Sequence, residues 1–379
     1  MFRKFRISAG PVVLLGVLCA CAATAAQVPT SLKEAYKGDF LIGAAMDAAQ
    51  ITGKDAPADA VILSQFNTIS PANALKWERV HPKPGKYNFK LADQYVAFGR
   101  EHHMFLVGHN LVWHNQVPGW VFHDRKGHLL TRDALLARLK DHIQTVVGRY
   151  KGQIQSWDVV NEALNEDGTL RQSFWLKIIG PDYIEKAFEY AHEADPQAQL
   201  TYNDYNLEKP AKREGAIRLV KKLQADGIPI TSVGLQNHDS LSWPTAAEED
   251  ATIKAFAALG VKVVISELDV NVLPNADQQP TADVSLRLGR NKALNPYRKG
   301  LPDSVQQQLA TRYADLFRVF LKNRGTVTRV TFWDVTDRDS WLNNWPIKGR
   351  TNYPLLFDRE GKPKPAYNAV LAVATAKED

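Results

Sequence analysis

A single-domain α/β protein, a (β/α)8 TIM barrel, is the fold this sequence predicts, and three observations predict it. Eight short, apolar, strand-forming runs recur along the chain, segments of helical period lie between them, and no Ser/Gly-rich linker or low-complexity tract interrupts residues 27–379. Strands that alternate with helices pair in parallel through crossover helices, and eight repeats close a barrel.

The first 26 residues stand apart from that pattern. Arg3, Lys4 and Arg6 precede an apolar stretch at 11–20 and the small residues Ala23-Thr24-Ala25-Ala26, the layout of an export signal. The stretch is shorter than the roughly 20 residues a bilayer span needs, so no transmembrane segment is expected. Leu18-Cys19-Ala20-Cys21 also fits a lipoprotein cleavage site with Cys21 lipidated. Two exported fates follow: a secreted or periplasmic protein, or an outer-membrane lipoprotein held through Cys21. Both cysteines of the chain lie in this leader, so the mature part holds no disulfide and depends on a large core. Removing Arg3, Lys4 and Arg6, with no acidic residue beside them, lowers the formal charge from +6 to +3. That mild balance implies no nucleic-acid partner.

The strands are expected at 40–46, 66–70, 104–108, 154–160, 199–202, 231–235, 261–266 and 328–332. Leu135, Leu139, Ile143, Val146 and Tyr150 mark the helix before the fourth, and Ile217, Val220 and Leu223 the one before the sixth. Ile253 and Phe256 mark the helix before the seventh, and Leu309, Leu316 and Phe320 the one before the eighth. Thr245 with Glu248 makes a capping box, while Gly227 and Gly260 stand where helices should stop. Pro82-Lys83-Pro84-Gly85-Lys86 is a turn, and 273–303 is the one long irregular stretch, of a length usually functional or disordered.

The polar residues then acquire an address. Asn73 and Lys76 follow the second run; His109, Asn110, Trp113 and His114 the third; Asn161 and Glu162 the fourth. Asn203 and Asp204 follow the fifth, Gln236 and His238 the sixth, Glu267 and Asp269 the seventh, and Trp333 the eighth. Carboxyl ends of barrel strands face one way, so these groups converge on one cleft. Two strand-end carboxylates there suit glycosidic bond cleavage, which needs one protonated and one ionised carboxyl and no cofactor. Asn161 beside Glu162 is an amide able to bond a sugar hydroxyl, and Trp113 or Trp157 lowers the local polarity, which suits Glu162 to the acid role. An imidazole from His238, held by Asp269, bonds Glu267 and keeps it ionised, which suits Glu267 to the nucleophile role. The expected carboxyl separation is about 5–5.5 Å, the spacing for retention of configuration.

Most tryptophans in a chain of this size pack in the core. Trp113, Trp333 and Trp341 follow strands and are expected to face pyranose rings. His102, His103, His109 and His114 have neither HExxH nor Cys/His-finger spacing, so no metal is expected, and His81 and His123 carry no site signal.

Seven motifs in order carry a family resemblance: Asn73-Ala74-Leu75-Lys76-Trp77-Glu78, Gly108-His109-Asn110-Leu111-Val112-Trp113-His114, Trp157-Asp158-Val159-Val160-Asn161-Glu162, Tyr202-Asn203-Asp204-Tyr205-Asn206, Gly234-Leu235-Gln236-Asn237-His238, Ile265-Ser266-Glu267-Leu268-Asp269 and Phe332-Trp333-Asp334. Over essentially the whole mature chain the sequence resembles the family 10 glycoside hydrolases, retaining endo-1,4-β-xylanases acting on xylan and xylo-oligosaccharides. The resemblance implies Glu162 as acid/base, Glu267 as nucleophile, and His238 with Asp269 as its supports. It implies that Asn161, His109 and Gln236 bond the sugar under attack and that Asn203 orients Glu162. Asn73 and Lys76 would grip the next sugar on the non-reducing side, with Trp333 and Trp341 as walls.

One position departs from the family's pattern: Ala72 stands where a Glu usually precedes the Asn. Either binding shifts to the aglycone side, onto the 273–303 stretch with Tyr297 and Arg298, or a neighbouring polar side chain replaces the carboxylate. Rival functions are a barrel that binds polysaccharide without cutting it, and a cellulase or mixed-linkage glucanase, decided by whether Trp341 and Lys76 leave room for a hydroxymethyl group. A monomer is expected.

Overall fold

The computed structural model describes residues 30–274 and 282–376, with Met1, Phe2 and Lys4 of the N-terminus. The rest of the expected leader, Cys21 included, lies outside the described residues. Among the described residues there are nine strands: β1 (Leu41–Met46), β2 (Thr68–Pro71), β3 (Phe105–Val112), β4 (Ser156–Asn161), β5 (Gln199–Asp204), β6 (Ser232–Leu235), β7 (His238–Ser240), β8 (Lys262–Asn271) and β9 (Val327–Phe332). They run in the order β6-β5-β4-β3-β2-β1-β9-β8, and parallel pairing of β6 with β8 closes the ring.

The ninth strand arises because one stave of an eight-stave barrel is broken. After Leu235 the chain passes through Gln236 and Asn237, the latter at φ +54°, and resumes as β7, which pairs with β8 from His238 opposite Asp269. The carbonyls of Gln236 and Asn237 still accept the N–H groups of Glu267 and Asp269, each at 3.1 Å, so the ladder runs on across the break.

All eight expected runs lie in staves, but three staves continue at least two residues further than their apolar stretches. β3 reaches Val112, β5 reaches Asp204 and β8 reaches Asn271. Side chains alternate between the two faces of a strand, and the inward polar ones at this end bond one another across the ring. His109, Asn203, Glu267 and Asp269 therefore sit within strands, not after them.

Helices cover the outside. In the helix Arg132–Arg149 the predicted stripe Leu135, Leu139, Ile143 and Val146 is fully buried, and it packs beside the helix Tyr183–Ala194. Thr245 caps the helix Ala246–Ala257 as expected: its Oγ1 accepts from the Glu248 N–H at 3.2 Å, and Glu248 Oε2 accepts from the Thr245 N–H at 2.7 Å. Glycine is required where staves approach their neighbours' side chains. A Cβ on Gly108 would lie 2.1 Å from the Trp157 ring, and one on Gly234 2.2 Å from Asn203 Oδ1. Of the irregular stretch, the described part 282–302 contains only a 3-10 turn at Lys292–Leu294, and Tyr297 packs against the core. Among the described residues no helix is long and apolar enough to cross a membrane.

Candidate active site

The carboxyl ends of the staves bring the carboxyls and the residues expected to bind sugar to one rim. Glu267, on β8, is buried and held from two sides. Asn203 Nδ2 donates to its Oε1 at 2.7 Å, and His238 Nε2 lies 3.4 Å from its Oε2. His238 Nδ1 lies 3.1 Å from Asp269 Oδ2, which also accepts from Trp341 Nε1 at 2.7 Å. Burial works to raise the Glu267 pKa, but the His238 hydrogen bond, the influence of His109 and His238, and the Asn203 bond outweigh it, so it lies below the usual value. Burial likewise works to lower His238, and the Asp269 and Glu267 carboxylates override it, raising the imidazole to about 10. Glu267 thus sits as an anion against a cation.

Glu162 follows the last residue of β4 at φ +56°, a left-handed turn that swings the chain out of the ladder and leaves the carboxyl on the rim. Trp113 Nε1 donates to its Oε2 at 2.8 Å, while Gln236 Nε2 and Asn161 Nδ2 lie 3.2 and 3.3 Å from its Oε1. Burial first, then the negative charges of Asp204 and Glu267, raise its pKa to about 7 despite the Trp113 and Gln236 bonds. Of the two tryptophans expected beside it, Trp113 touches it. Trp157 is fully buried, wedged against Gly108.

Asn203 differs from expectation. Its amide serves Glu267 and, at 2.9 Å, Asn161 Oδ1, and its own Oδ1 accepts from Ser266 Oγ at 2.6 Å. Side-chain contact with Glu162 runs through Asn161. The physical reason lies in register: Asn161 pairs with Asn203 across β4 and β5, whereas Glu162 has already turned away.

The other wall is built from β1 to β3 and β9. Lys76 Nζ donates to Gln116 Oε1 at 2.8 Å and Asn73 Oδ1 at 3.2 Å and lies 4.9 Å from the Trp113 ring centre. Burial lowers its pKa, opposed by the charges of Glu267 and Glu162. His109 Nδ1 lies 2.9 Å from Asp158 Oδ2, its partner in register on β4. Trp333 packs on Ala45 and Ala72, with Trp341 against them, and Trp341 stacks on Trp345 at 4.5 Å.

Sequence reading missed several supports. Asp158, Ser266 and Gln116 hold His109, Asn203 and Lys76; the first two are polar residues inside the fourth and seventh apolar runs, a signal that could have flagged them. Arg171 was also missed: its Nε donates to the Glu162 carbonyl at 3.1 Å, its Nη2 to Tyr205 OH at 2.8 Å, and its Nη1 pairs with Asp283 at 3.3 Å. Asp283 thus brings the irregular stretch to this site. His114 takes no part in the carboxylate network; burial, then Arg171, lowers its pKa to about 4. Among the described residues no group of three or more His, Cys, Asp or Glu side chains is disposed to hold a metal ion.

Known proteins resemble this chain in sequence and in fold. The sequence model of glycosyl hydrolase family 10 matches residues 31–373. The chain is 43% identical over 357 residues to endo-1,4-beta-xylanase A of Xylanibacter ruminicola, covering 94% of this chain and 97% of that protein. It is 44% identical over 343 residues to a beta-1,4-xylanase of Dictyoglomus thermophilum, covering 90% of each. Among solved structures, a GH10 endoxylanase from a sugarcane soil metagenome superposes with a TM-score of 0.88 at 48% identity, over 90% of this chain and 99% of that one. A mutant solved in complex with xylotriose superposes with a TM-score of 0.81 at 37% identity, over 90% and 99% of the two chains. The barrel, its rim of paired carboxyls and these matches together show that the chain belongs to glycosyl hydrolase family 10.

Proposed function

We propose that this protein is an endo-acting, retaining β-1,4-xylanase that cuts xylan and xylo-oligosaccharides by double displacement, with Glu162 as acid/base and Glu267 as nucleophile. The observation that carries the assignment is the opposite displacement of the two acids: Glu162 raised to about 7, Glu267 held below its usual range. At neutral or mildly acidic pH the first keeps a proton while the second is charged, which acetal cleavage requires.

In the first step Glu162 donates its proton to the leaving glycosidic oxygen as the Glu267 carboxylate attacks the anomeric carbon, forming a glycosyl ester. Esterification removes the Glu267 charge, one of the causes that raise Glu162. Glu162, now ionised and with a lower pKa, takes a proton from the incoming water, which displaces Glu267 and restores the starting state. His238 and Asn203 stabilise the departing carboxylate through the bonds they already make. Asn161, Gln236 and His109 face the sugar under attack, Asn73 and Lys76 the next one on the non-reducing side, and Trp333 and Trp341 its walls.

The relatives named as endo-1,4-beta-xylanases and the neighbour solved with xylotriose support the substrate class. Time-resolved NMR of xylo-oligosaccharide cleavage tests the reading, with xylan and carboxymethyl cellulose compared in parallel. The β-anomer should appear first and xylan should be the better substrate; a first-formed α-anomer would overturn the double displacement, and preference for the cellulose would overturn the substrate.

A further inference from the structure

Asp47 occupies a position on the rim that none of the roles above uses. It follows β1, whose last residue Met46 pairs with Pro71, so Asp47 stands beside Ala72 on the neighbouring stave. The Ala72 N–H donates to the Met46 carbonyl at 3.0 Å, which fixes that register past the end of the ladder. Asp47 Oδ1 accepts from Asn73 Nδ2 at 3.2 Å. Its charge acts on Lys76 from one side and on Asp334, which anchors the Trp341 N–H at 3.0 Å, from the other. Asp47 is half-buried, between buried Met46 and exposed Ala48.

Resting on the xylanase reading, we propose that Asp47 is a specificity-determining residue whose carboxylate accepts hydroxyl hydrogen bonds from the sugar one removed from the scissile bond on the non-reducing side. It would supply from β1 the acceptor that Ala72 on β2 lacks. The chemistry is that of a vicinal diol: a carboxylate accepts, the Lys76 ammonium donates, and the Asn73 amide bridges them. Like charges side by side on adjacent strands repel, so an acid at 47 and an alanine at 72 fit together.

A structural role is the rival, because Asp47 precedes the short helix Ala48–Ile51 and its N–H donates to Gln50 Oε1 at 2.8 Å. Asp47→Asn separates the two, since asparagine caps a helix as well as aspartate does and keeps an acceptor for Asn73. The readout is the ratio of kcat/KM for an aryl β-xylobioside, which reaches this sugar position, to that for an aryl β-xyloside, which does not. The ratio should fall about tenfold in Asp47→Asn, the size of one lost charge-assisted hydrogen bond, and recover in the double variant Asp47→Asn/Ala72→Glu. A ratio within twofold of wild type, or a loss that Ala72→Glu does not repair, overturns the proposal. The same ratio is taken on the aryl cellobioside and glucoside. A wild type that prefers those overturns the xylanase reading, and the Asp47 effect is then decided on the gluco pair.

Discussion

Two glutamates of one chemical type behave oppositely at this rim because their neighbours differ. Glu162 meets burial, two carboxylates and neutral donors, whereas Glu267 meets an imidazolium raised to about 10 and an amide. The pH profile of kcat/KM should therefore be bell-shaped, falling as pH rises through about 7, where Glu162 loses its proton, and falling on the acid side below about 4.5, where Glu267 gains one. Trp113→Phe sharpens the test, since it deletes the N–H that bonds Glu162 Oε2 at 2.8 Å and favours its ionised form. Its alkaline limb should move to higher pH as the overall rate drops; movement to lower pH would contradict the assignment. At this scale the placement of both carboxyls on the rim was legible, because each glutamate closes an apolar run. The orientation of Asn203 was not: which of two nearby carboxyls an amide serves depends on a turn at φ +56° that residue types do not announce.

The broken sixth stave shows the same division between elements. Its apolar run, 231–235, was readable, but β7 beyond it consists of His238, Asp239 and Ser240, which carry no strand signature. They are held as a strand by what lies on either face. Gln236 and His238 point to the rim, where they reach Glu162 and Glu267. Asn237 and Asp239 point outward, and there Asn237 Nδ2 donates to Glu249 Oε2 at 3.0 Å while Asp239 pairs with Arg312 at 3.0 Å. Glu249, on the helix that Thr245 caps, thus fixes from behind the residue between two site side chains. Burial first, then the charges of Glu208 and Asp239, raise its pKa well above the usual value, which favours its neutral form. Glu249→Gln should then be nearly silent. Glu249→Ala leaves the Asn237 amide unpaired and should cost about 1–3 kcal/mol in thermal or denaturant unfolding, with kcat falling more than KM rises. Equal effects of the two substitutions would mean that Asn237 does not depend on this bond.

Across the whole molecule, buried acids set the pH range of stability. With its only two cysteines at positions 19 and 21, the barrel relies on packing and buried polar networks, which composition already disclosed. Composition did not disclose how many carboxyls are buried with raised pKa values. Burial brings Glu162 and Glu208 to about 7 and Asp239 to about 8, and holds Glu249 and Asp334 well above the ordinary range. Glu208, Asp239 and Glu249 lie within one another's fields near Arg312, with Lys212 and Arg213 also acting on Glu208, and burial keeps all three raised against these cations. An acid whose pKa is higher folded than unfolded contributes stability in full below its unfolded value near 4, and that contribution is lost as pH rises through the folded value. His238, raised to about 10, adds a loss between about 6.5 and 10. Glu267 and Asp55, lowered by their partners, act in the opposite sense and withdraw stability only as pH falls below about 4. The melting temperature should therefore peak between about pH 4.5 and 6 and decline steadily towards pH 8.5. The shift of Glu162 alone amounts to roughly 3 kcal/mol, lost between its ordinary value near 4.5 and about 7. Calorimetric melts at pH 5.5 and 8.5 on wild type and Glu162→Gln test this directly: the neutral amide should narrow the gap between the two temperatures. A melting temperature that rises from pH 5.5 to 8.5, or a gap that the substitution widens, would show that these carboxyls are ionised inside the fold and would remove the basis for Glu162 as the proton donor.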